Sequence, residues 1–90
     1  MSEFQKFKAE MMQDPEVRKE YEALQPEMDV IRALLNARIE QNLTQKQLAE
    51  LSGIRQSNIS RIENGTCSPT IATLQQLAAG MGKRVHIEFI

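Results

Sequence analysis

Ninety residues, 41% hydrophobic and 26% charged, make one small domain of ordinary globular composition. A lone cysteine, Cys67, excludes a disulfide framework or a cysteine zinc site, and no apolar run approaches the roughly 20 residues that span a bilayer. The net charge of −1 argues at first against a nucleic-acid partner.

The distribution of charge says more. Residues 1–43 carry six Lys/Arg against nine Asp/Glu, whereas residues 44–90 carry five against three. An acidic front and a mildly basic back suggest two different partners. No basic start followed by an apolar core is seen, so no signal peptide is expected, and the location read from the cysteine usage is a reducing cytoplasm.

In chain order, Phe4, Phe7 and Met11 fall on one face of an amphipathic helix. Asp14-Pro15-Glu16 then reads as a fresh start: a capping carboxylate, a proline at the first helical position and an acid in the first turn. Val17, Tyr21 and Leu24 continue that helix until Pro26, which is expected to end it. A longer helix is expected over 27–41, burying Met28, Ile31, Leu35 and Ile39, with Asn42 as its cap.

Thr44 and Gln47 fit a capping box, flanked by Leu43 and Leu48 as a hydrophobic staple. The short helix they open stops at Ser52-Gly53. A second short helix, "QSNISRIE", follows at once and closes at Asn64-Gly65. A last helix is expected to open at Ser68-Pro69, to bury Ile71, Leu74, Leu77, Ala78 and Met81, and to stop at Gly80 and Gly82. In "GKRVHIEFI", Val85, Ile87 and Phe89 alternate with Arg84, His86 and Glu88, the period of a half-buried strand.

Two short helices joined by a tight glycine turn, the second rich in amides, hydroxyls and an Arg, form a helix-turn-helix pattern. Gln pairs bidentately with adenine, Arg with guanine, and Ser with several base edges. At the first helix of the pair, Gln45 and the N-terminal N–H groups suit a phosphate.

At these residues the chain resembles the Xre- and Cro-type helix-turn-helix repressors. The string "TQKQLAELSGIRQSNISRIENG", then "SPTIATLQQLA", carries the resemblance, which covers about residues 29–81. It implies an all-α, lambda-repressor-like domain of five helices that binds double-stranded DNA at a palindromic operator as a homodimer. It places Gln56, Ser57 and Arg61 towards the bases; Ser60, like Asn58, is read from the residues as lying on the polar faces of the same helix. It puts Gln45 at a phosphate or a base, Arg55, Asn58 and Asn64 at or near the sugar-phosphate backbone, and Glu63 in a structural role.

The two ends resemble, more narrowly, the Hig-type antitoxins. That implies a division into an N-terminal helical extension (1–28), a DNA-binding domain (29–81) and a dimerisation strand (82–90). Phe4, Phe7, Met11 and Tyr21 would touch a small basic toxin of the RelE-like, mRNA-cleaving class. Val85, His86, Ile87, Glu88 and Phe89 would pair with a second copy across a two-fold axis.

Plainer readings stand beside these. Phe4, Phe7 and Met11 also suit a helix packed on its own domain, and the acidic excess also suits a solvated face. The tail also suits an edge that a toxin's sheet captures. A stand-alone or phage-type regulator shares every DNA-reading residue. His86 has no ligand partner near it and Cys67 no His-Asp context, so neither a metal nor a nucleophile is expected. No phosphate loop or carboxylate pair suggests an enzyme, and no cofactor is expected.

Overall fold

A computed structural model describes Lys6, Glu10 and residues 13–90. The described residues hold four helices: α1 (Pro15–Glu40), α2 (Gln45–Ser52), α3 (Gln56–Glu63) and α4 (Ile71–Gly80). The chain is all-α as expected, but the expected fifth helix is not found among them. The helix read from Phe4, Phe7 and Met11 falls on residues outside the described set.

Helix α1 starts as its sequence dictates. The Asp14 carboxylate accepts the Glu16 N–H at 2.9 Å, and Pro15 occupies the first turn. It then runs through Pro26 without a break for 26 residues, about 39 Å. Two helices were expected there, and one forms. Proline removes one backbone bond, but its exposed ring displaces no packing, and long hydrogen-bonded segments on either side carry the helix across. Asn42 does take the left-handed conformation, at φ 56°, immediately after the Gln41 cap.

The buried stripe of α1 is rotated from the expected one. Leu34 is buried and Ile31 and Leu35 are half-buried, whereas Met28 and Ile39 are 40% and 56% exposed. The rotation turns Arg38 inward, where it binds Glu63 and the Leu43 carbonyl.

Helix α2 has its capping box. Thr44 Oγ1 accepts the Gln47 N–H at 3.0 Å, and Gln47 Oε1 accepts the Thr44 N–H at 2.8 Å. Gly53 ends the helix at φ 75°, a conformation that costs a Cβ-bearing residue. Helix α4 opens two residues later than expected, because Thr70 rather than Ser68 supplies the cap, accepting the Thr73 N–H at 3.1 Å. Ile71 consequently sits at the helix start, 58% exposed rather than buried.

Leu48, Ile59, Ile62 and Leu77 form the centre of the core, each 1% exposed or less, with Leu34 and Met81 around them. Each deep position costs about 2–5 kcal/mol when cut back to Ala. Helix α4 lies close on α2: a Cβ on Gly80 would stand 3.0 Å from Ser52 Cα. Gln76 Nε2 also donates to the Ser52 carbonyl at 2.9 Å. The α2–α3 turn is thereby held from behind.

The tail is corrected most. Residues 83–90 form no strand. Lys83 fixes their start, its N–H on the Ala78 carbonyl at 2.8 Å and its ammonium 3.4 Å from Glu40. Beyond it the described residues offer no strand to complete a ladder. Val85 is half-buried, but Ile87 is 59% exposed and Phe89 fully so, not buried against the helices as expected. No described helix is long and apolar enough to cross a membrane.

Candidate nucleic-acid interface

Helix α3 is amphipathic over only eight residues. At about 100° per residue, Gln56, Ser60, Ser57 and Arg61 fall within an arc of roughly 140°. Ile59 and Ile62, both at 0% exposure, occupy the opposite side. Gln56, Ser57 and Arg61 are exposed and Ser60 half-buried. Four of the expected DNA-facing residues thus share one surface, backed by a core that prevents the helix from rolling.

Asn58 and Asn64 are placed differently. Asn58 is half-buried on the flank of the Ile62 side, its Oδ1 3.8 Å from Cys67 Sγ. Asn64 caps α3, and its side-chain oxygen accepts from the Thr66 N–H at 3.1 Å and from the Thr66 hydroxyl. Arg55 occupies the N-cap of α3 with no side-chain cap. The N–H groups of Gln56 and Ser57 therefore point out of an uncapped helix start, the arrangement that accepts an anion.

The start of α2 supplies a second such place. Its capping box uses the Gln47 N–H and leaves those of Gln45 and Lys46 in the first turn. Lys46 is exposed beside them. It is a cation that the sequence reading did not single out, although its place after Gln45 in the first turn is signal enough.

A polar cluster joins the two helix ends. Arg38 grips Glu63 bidentately, Nε to Oε2 at 2.9 Å and Nη2 to Oε1 at 2.7 Å, with side-chain exposures of 15% and 7%. Its Nη1 donates to the Leu43 carbonyl at 2.8 Å. The guanidinium is held above its ordinary range, first by the hydrogen bond to Glu63, with burial opposing. Gln45 Nε2 adds a third donor to the Glu63 carboxylate, on Oε1 at 3.3 Å. One guanidinium so ties the end of α1, the start of α2 and the end of α3. Glu63 is structural, as expected, but nothing in the sequence names its partner 25 positions away.

The other expected residues are dispersed. Tyr21 is half-buried on α1, while Phe4, Phe7 and Met11 lie outside the described residues. His86 approaches Glu88 at 3.6 Å on an exposed tail. Among the described residues no group of three His, Cys, Asp or Glu side chains is placed to hold a metal.

Residues 34–86 match the Helix-turn-helix family. The chain belongs to that family. Members of the family are DNA-binding regulators, not enzymes. This helix-turn-helix protein is 41% identical over 58 residues to an uncharacterized HTH-type transcriptional regulator of Haemophilus influenzae, covering 64% of this chain and 59% of that one. It is 48% identical over 46 residues to the HTH-type transcriptional regulator PuuR of Escherichia coli, covering 51% of this chain and 25% of that one. It thus spans less than two thirds of either relative. It is also 42% identical over 62 residues to the putative antitoxin HigA2 of Mycobacterium tuberculosis, covering 66% and 61%.

Among solved structures, a regulator of the same family from Vibrio cholerae superposes with TM-score 0.62 at 33% identity, over 63% of this chain and 32% of that one. A chain of a toxin–antitoxin module from Streptococcus pneumoniae superposes with TM-score 0.62 at 29% identity, over 100% of this chain and 96% of that one.

Proposed function

We propose that the chain is the antitoxin of a type II toxin–antitoxin pair and the repressor of its own operon. It acts in the cytoplasm, binding a palindromic operator as a homodimer. Gln56, Ser57, Ser60 and Arg61 read bases; Gln45, Arg55, Asn58 and Asn64 contact or support the phosphate backbone. The tail, from Val85 to Phe89, pairs with its counterpart in the second copy. Residues 1–28, through Phe4, Phe7, Met11 and Tyr21, hold a small basic toxin of the RelE-like class.

The observation that carries this reading is the end-to-end correspondence with a chain of the Streptococcus pneumoniae toxin–antitoxin module, which takes in both ends as well as the helix pair. The HigA2 relative and the acidic front half add to it. The second reading, a stand-alone regulator, draws on the relatives named only as regulators.

Deleting residues 1–28 separates the two. An antitoxin so shortened keeps its operator but no longer captures the basic protein encoded beside it in a tagged co-expression. A shortened chain that retains both properties, or a full chain with no co-purifying neighbour, leaves the stand-alone regulator.

A further inference from the structure

The least expected feature of the DNA-facing surface is the hydrogen bond between Gln45 and Glu63, 18 positions apart. A carboxylate only accepts, so Glu63 takes the NH₂ end of the Gln45 amide and fixes which way that amide is turned. One amide hydrogen goes to Glu63, and the second remains for an outside acceptor. It lies at the same helix start where the backbone N–H groups of Gln45 and Lys46 have no capping partner.

A bare carboxylate so close to a phosphate would repel it. Arg38 removes that obstacle by engaging both oxygens of Glu63, leaving a neutral pair that still offers Oε1 to Gln45. The same guanidinium holds the Leu43 carbonyl just ahead of α2, so acceptor and helix start move as one body.

We propose that Glu63 is a positioning residue for DNA: held by Arg38, it presents the Gln45 amide as a preset donor to a phosphate at the start of α2. This rests on the reading of the α2–α3 surface as the DNA-binding face, and it gives Glu63 a role in affinity as well as in folding.

The test is a cycle in the full chain. The probe is the duplex that the wild-type protein enriches from a random-sequence pool. The ion pair is exchanged for apolar residues, Arg38→Met with Glu63→Leu, because well-packed apolar replacements of a buried pair are often neutral for folding. Gln45→Ala is made in both backgrounds. Losing a hydrogen bond to a charged group weakens binding roughly tenfold or more. The apolar exchange alone is expected to weaken it by most of that factor, and adding Gln45→Ala to it by no more. Losses that multiply, or an exchange variant that binds like wild type, overturn the proposal.

Side-chain amide resonances of Gln45 in the wild-type protein give an answer that needs no variant to fold. They are expected to be more ordered than those of the exposed Gln75, and equal mobility overturns the proposal. A wild-type chain that enriches no duplex defeats the DNA reading and this inference together. One that binds with independent losses defeats this inference alone.

Discussion

At the scale of single residues, Arg61 and Arg38 divide the two kinds of work an arginine does. Arg61 is exposed on the polar face of α3, where the proposed function gives it a base to read. Arg61→Ala is expected to cost about 1–3 kcal/mol of operator binding and to relax specificity at one position. Equal losses on operator and random duplexes would reassign it to the phosphates. Arg38 is folded into the cluster with Glu63. Arg38→Met leaves a carboxylate 7% exposed without its ionic partner, which costs about 3 kcal/mol by the usual penalty for breaking a buried pair. Chemical denaturation measures it, and a loss under ~1 kcal/mol, typical of surface pairs, would show the fork to be dispensable. The raised guanidinium pKa sets the sign of the pH dependence. Its stabilisation is complete below the unfolded-state value and fades only in strong alkali, so the melting temperature should not fall between neutral and mildly alkaline pH on this account.

Among the elements, those fixed by local chemistry were legible from sequence and those fixed by distant partners were not. Thr44, Gln47 and Gly53 announce α2 because a capping box and a left-handed stop involve neighbours within a few positions. Thr44→Ala is accordingly expected to destabilise the fold by about 1 kcal/mol, read as a lower melting temperature. An unchanged melt would show the box to be ornamental. Pro26 misled because the rule about the residue before proline is local, whereas the helix is sustained by hydrogen bonds on both sides. The stripe of α1 misled for the opposite reason: its rotation answers to Glu63, which periodicity within the helix cannot see. Within the expected site, Gln56, Ser57 and Arg61 were placed together by the family resemblance, and the period of an eight-residue helix brings them with Ser60 into one arc. The inward turn of Asn58 towards Cys67 depended on the loop after α3.

For the whole molecule, the remaining question is why an alternating apolar segment follows the last helix of an all-helical domain. Phe89 and Ile90 are fully exposed, and Ile87 is 59% exposed. Val85 and Ile87 line an apolar groove of roughly 620 Å³ with Val30, Ala33 and Ala37 of α1 and Leu77 of α4. Water on so much apolar surface is unfavourable, at about 25 cal/mol per Å². Among the described residues nothing completes either the groove or a ladder. Pairing two tails across a two-fold axis would satisfy the backbone groups and bring the second copy's apolar side chains over the helices. Such an arrangement would also set the distance between the two α3 helices, which the proposed palindrome would require to be about 34 Å, one turn of the duplex. Truncation after Gly82 removes the proposed pairing segment and leaves every described core residue in place. The shortened chain is expected to sediment as a folded monomer and to lose the paired half-site footprint while keeping weak, salt-sensitive binding. A truncated chain that remains dimeric would place the two-fold contact on the helices instead, and the tail would then be free for another partner.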